Sequence, residues 1–137
     1  MTPSTSRRAL QIVIAIAGLV PVGAGLAGVV LGPRLAGLAA APASLDSHFR
    51  YLSGLLLGLG LVFWAAIPTI ERRGLLVRAL TLIVFTGGIG RAVSLLAVGA
   101  PSGGMRLALV MELVVTPLIC VWQFNVEQRA LKQPAGR

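Results

Sequence analysis

Acid is scarce in this chain. Four Asp and Glu residues stand against 12 Lys and Arg, so the formal net charge is +8 with the histidine neutral. A balance this basic raises the question of nucleic acid. The placement of the charges argues against it. They form no run or face, and aromatic residues make up only 5% of the chain, too few for a base-stacking platform. Cysteine is nearly absent too. Cys120 alone excludes an internal disulfide and any metal centre built from several thiolates. Charged residues total 12%, about half the share of an ordinary soluble domain.

Apolar side chain fills the space left by charge. Hydrophobic residues are 56% of the 137 positions, and the mean hydropathy is +0.90. A 14.2 kDa globule cannot hide so much apolar surface, because small domains bury only about two thirds of theirs. Disorder needs low hydrophobicity, so it is excluded as well. The solvent that suits this composition is a lipid bilayer.

Four apolar stretches follow one another, at about 9–32, 49–67, 75–98 and 105–124, with a polar tail over 125–137. The sequence therefore predicts an all-α polytopic membrane protein, an antiparallel bundle of four transmembrane helices in a single membrane domain over 1–137. Pro21 lies in the first stretch and Pro117 in the fourth. Proline is tolerated in spans where neighbours satisfy the freed carbonyl. The first stretch exceeds the ~7–15 residues of a signal-peptide core, so it is expected to persist as a span. A connector runs from Pro33 to Ser47. The short links at 68–74 and 99–104 make spans two to four antiparallel neighbours. No sustained heptad, solenoid period or low-complexity tract stands out.

Counting basic residues sets an orientation. With the N-terminus inside, Arg7, Arg8, Arg72, Arg73, Arg78, Arg129, Lys132 and Arg137 flank inner ends, while Arg34, Arg50 and Arg106 flank outer ones. The excess inside places both termini of a multi-pass membrane protein in the cytoplasm. Trp64 and Trp122 then fall towards inner ends, where indoles favour the headgroup zone.

Two charges lie inside spans, Arg91 in the third and Glu112 in the fourth. Each costs roughly 2.5–3.5 kcal/mol at a span centre on insertion scales, so each needs a partner. Arg91 lies about 10 Å and Glu112 about 9 Å below the same outer end at helical rise. Antiparallel neighbours with charges at one level predict an Arg91–Glu112 ion pair. Asp46, His48, Arg50, Tyr51 and Ser53 cluster at the outer start of the second span. Gly54 and Gly58 form a GxxxG pair that lets a backbone approach; on the third span Gly87 shares a face with Arg91 and Ser94, and Gly88 and Gly90 thin the helix beside them. The pattern predicts one outer-leaflet pocket, a ligand-binding hypothesis lined by His48, Arg50, Arg91, Ser94 and Glu112. GGIGR at 87–91 superficially resembles a phosphate loop, but it lacks the preceding strand and the Lys-Ser/Thr ending. No catalytic signature, cofactor site or metal site can be assigned.

At these residues the sequence resembles a known group. HFRYLSGLLLGLGL (48–61), IPTIERR (67–73), FTGGIGRAVSLLAVGAP (85–101) and MELVVTPLICVWQ (111–123) are similar, in order and spacing, to the bacterial membrane family catalogued as domain of unknown function 4345. The resemblance covers roughly 45–123 and implies a small bacterial protein with four spans. It implies no activity, cofactor or catalytic residue. Three functions stay open. The first is a structural or accessory protein that dimerises, or docks on a larger membrane partner, through its glycine faces. The second is a small dimeric transporter or carrier of an anionic or lipidic ligand. The third is a membrane enzyme with His48 as acid/base beside Asp46 or Glu112. The lipid bilayer is the partner common to all three.

Overall fold

The computed structural model describes residues 3–132. The end of the polar tail, 133–137 with Arg137, lies outside the described residues. The chain is all-α. Its helices are α1 (Pro3–Leu31), α2 (Ala43–Ala66), α3 (Gly74–Val98), α4 (Gly103–Val110) and α5 (Thr116–Lys132). Short 3-10 segments cover Gly32–Ala36 and Ile67–Arg72, and a π-helical turn, Met111–Val115, joins α4 to α5. Four helical stretches are long and apolar enough to cross a membrane: Ser4–Ala36, Ala43–Arg72, Gly74–Val98 and Gly103–Lys132. The shortest has 25 residues. At helical rise that is about 38 Å, more than the ~30 Å hydrocarbon core.

The helices run further than their apolar cores. α2 begins at Ala43 rather than near Phe49, because Pro42 sits at its N-cap and starts the helix inside the expected connector. The fourth stretch continues to Lys132, so the expected polar tail is helical over its first eight residues, 125–132. Only 6% of the most apolar window of Gly74–Val98 is buried within the chain, and Leu96 is 87% exposed. Side chains this apolar and this uncovered need lipid around them.

By packing, the chain forms two compact units. One is Val13–Ile67; the other joins the described residues up to Ile12 with those from Pro68 onward.

In the Val13–Ile67 unit, α1 and α2 form an antiparallel hairpin. Trp64 Nε1 donates to the Ala15 carbonyl (3.1 Å), Val22 packs at Gly60, Leu57 at Gly25, and Ser53 at Gly28. The α1 positions 15, 18, 22, 25 and 29, with Gly32 just beyond, and the α2 positions 46, 50, 53, 57, 60 and 64 alternate in steps of three and four. That is a heptad seam, with small residues on the α1 side where the backbones meet. The Pro21 ring lies over Gly60, which explains how a mid-helix proline fits the seam.

In the other unit, α3 runs antiparallel to the α4–α5 stretch. Gly74 meets the Glu127 carboxylate, and Arg78 Nη1 lies 3.1 Å from Glu127 Oε2. Gln123 is completely buried and donates to the Ile70 carbonyl at 2.9 Å. That carbonyl also accepts the Arg73 N–H at 3.3 Å, so Gln123 supplies a second donor beside a backbone broken by Pro68 and by non-helical Thr69 (φ −125°, ψ 34°). Arg7 joins the same elbow through Glu71 (3.0 Å) and the Pro68 carbonyl (2.9 Å), and Trp122 Nε1 donates to Ser6 Oγ (3.0 Å). Leu10, Ile70, Val77 and Val126 are buried apolar side chains of this unit.

Candidate functional site

Pro117 sets the local geometry of the fourth span. It has no N–H to give to the Leu113 carbonyl, and its ring would clash there in a regular α-helix. The backbone answers with the wide turn Met111–Val115, closed by the Thr116 N–H on the Met111 carbonyl, five residues back. Thr116 Oγ1 donates to the same carbonyl at 2.8 Å. Glu112 lies inside this turn. π turns recur where helices carry functional side chains.

α3 comes close to the turn at Gly88, which is buried. A Cβ there would stand 2.7 Å from Leu113 Cδ2 and 3.0 Å from Glu112 Cβ. One turn on, Arg91 Nε donates to Glu112 Oε1 at 2.9 Å and stands 2.9 Å from Oε2 as well. Arg91 Nη1 points at Met105 Sδ, 3.0 Å away. The side chains are 35% and 14% exposed, respectively. Glu112 Oε2 is buried without a hydrogen bond, so the pair rests on one good bond and a shared charge. Attraction between unit charges at ~4 Å is about 4 kcal/mol at an effective dielectric near 20, enough to offset much of one burial penalty.

Arg50 has a different task. α1 ends at Leu31, where Gly32 turns with φ +60° and Pro33 has no N–H. The last carbonyls of α1 therefore lack partners. Arg50 Nη1 donates to the Val29 and Val30 carbonyls. Its Nε and Nη2 hold Asp46 at 2.8 and 3.2 Å. A Cβ at residue 32 would collide with this guanidinium and with Asp46, so glycine suits the position twice over. Arg50 is thus a cap for a helix C-terminus, where a cation also meets the negative end of the dipole.

The five residues expected to line one pocket are shared between the two units. Arg91 and Glu112 meet within one unit. Arg50 has its donors on Asp46 and on backbone carbonyls in the other. His48 and Ser94 are exposed. Among the expected packing glycines, Gly88 makes its contact, but Gly58 and Gly87 have nothing within 4 Å, and Gly54 has only Val29 Cγ2 at 3.9 Å. The physical reason is that the seam chose a different face of α2, the one carrying Ser53, Leu57 and Gly60. The close approaches fall at Gly18, Gly25, Gly28 and Gly60, of which only Gly28, four before Gly32, belongs to a GxxxG pair. The three-four spacing along both helices was the available signal.

Neither a curated protein nor a solved structure matches the chain. A family model matches residues 9–123, which takes in the first span as well as the three carrying the motifs. The chain belongs to the family described as Domain of unknown function (DUF4345).

Proposed function

We propose that this protein is a structural or accessory component of the bacterial inner membrane that acts through helix–helix contacts, with both termini cytoplasmic. One observation carries the reading: Gly54, Gly58 and Gly87 do little or no packing within their own units. Glycine in a span interior weakens the helix by roughly 0.5–1 kcal/mol relative to Ala, so glycines with no internal contact suit an external helix. The polar residues support the same reading. Arg91 and Glu112 hold one hairpin, and Arg50 caps α1, which leaves little for a carrier's ligand. Both acids that could assist His48 in an enzyme, Asp46 and Glu112, are already engaged by arginine.

Cross-linking in native membranes tests this role. The wild-type chain is expected to give a discrete product of higher mass, with itself or with a larger partner. Gly58→Leu is expected to remove that product while helicity is kept and monomer stability does not fall. Cross-linking that is absent, or that Gly58→Leu leaves intact, would overturn the proposal.

Orientation rests on the basic residues that flank the inner ends, against three at the outer ends. In a Cys120→Ala background, Ser102→Cys is expected to react with a membrane-impermeant maleimide added to intact cells. Arg129→Cys is expected to react only after lysis. The reverse pattern contradicts the topology.

A further inference from the structure

A cavity of ≈ 370 Å³ lies within the Val13–Ile67 unit, where the 3-10 turn after α1 faces the first turns of α2. Its exposed lining is mostly polar and includes Arg34, Asp46 and Arg50, beside the apolar Leu31 and Leu38. Their charges are not equally available. Asp46 takes two hydrogen bonds from Arg50, and the remaining Arg50 nitrogen serves the Val29 and Val30 carbonyls. That pair carries no net charge, and each partner is already engaged by the other. Arg34 is exposed, and among the described residues no carboxylate lies within ion-pairing distance of it. The cavity thus presents one uncompensated guanidinium, with Leu31 and Leu38 beside it.

Its position gives the ligand class. The first membrane-crossing stretch ends at Ala36 and the second begins at Ala43, so the cavity lies where two spans leave the hydrocarbon. Phosphates of lipid headgroups occupy that level. A guanidinium recognises phosphate oxygens by two parallel hydrogen bonds, and Leu31 and Leu38 suit the glycerol end of acyl chains. We propose that this cavity binds the phosphodiester of an anionic phospholipid, with Arg34 as its direct ligand. A zwitterionic headgroup fits less well, because its ammonium needs a carboxylate and Asp46 is committed to Arg50.

Native mass spectrometry of the full chain, released from detergent with phosphatidylglycerol or phosphatidylethanolamine added, tests this site. Phosphatidylglycerol adducts are expected to dominate. Arg34→Gln is expected to weaken them about fivefold, the effect of one basic residue at an anionic surface. Arg34→Lys, which keeps the charge but loses the paired hydrogen bonds, should bind between Arg34→Gln and the wild type, and Arg106→Gln, an arginine at a different helix end, should leave binding unchanged. Millimolar inorganic phosphate should not displace the lipid. The proposal is overturned if Arg34→Gln binds as the wild type does or if both lipids bind equally. It is also overturned if Arg106→Gln weakens binding as much as Arg34→Gln, or if inorganic phosphate displaces the lipid, which would mark a site for free anions. Unchanged helicity of the variants confirms that binding, rather than folding, was measured.

Discussion

Gly25→Ala is expected to lower the unfolding free energy by about 2–3 kcal/mol, and Gly25→Leu by more. The added Cβ would stand 2.5 Å from the Leu57 backbone nitrogen, and 2.8 Å from both Leu57 Cα and the Ser53 carbonyl oxygen. These are main-chain atoms of α2, so no rotamer change relieves the overlap. The helices must separate, and separation loosens the contacts above and below it, including Ser53 at Gly28 and Val22 at Gly60. Gly58→Ala provides the contrast. Its Cβ meets nothing within 4 Å, so only helix propensity acts, and that favours alanine by about 0.5–1 kcal/mol. Equilibrium unfolding of the two variants in mixed micelles should therefore move in opposite directions. Equal effects would mean that the seam does not run through Gly25.

The second large effect is expected at the charge pair. Arg91→Leu leaves the Glu112 carboxylate, 14% exposed, without its cation. Removing one partner of a buried pair strands the other, and at this partial exposure the loss is about 2–3 kcal/mol. Glu112→Leu should be milder, about 1 kcal/mol, because a long arginine can swing its head towards the membrane surface while its stem stays apolar. The asymmetry is itself informative. A ligand site would read both losses in binding; a clamp reads them in stability, with the carboxylate as the costly group to abandon.

These two regions also show how far the sequence could be read. The Arg91–Glu112 level follows from counting residues down from a short turn, because antiparallel neighbours share depth and charges stand out in an apolar run. The four spans follow from the same contrast. Arg50 was harder. Its role depends on where α1 stops, and hydropathy runs through Leu31, Gly32 and Pro33 without marking which carbonyls lose their donors. The seam was obscured by abundance. With 17 glycines in the chain, a GxxxG pair is not informative, and Gly54 and Gly58 drew attention from the face carrying Ser53, Leu57, Gly60 and Trp64. Pro117 signalled a disturbed fourth span, but not that the disturbance would take the form of a wide turn holding Glu112.

The central claim is that Arg91 and Glu112 hold two helices together. A double-mutant cycle of Arg91→Leu and Glu112→Leu, read by unfolding in mixed micelles, tests it most directly. Two apolar side chains of similar reach can replace a buried pair at little loss, so the double variant should lie within about 1 kcal/mol of the wild type, with a coupling near 2 kcal/mol or above. A double variant as unstable as the sum of its single variants, with coupling near zero, would contradict the claim.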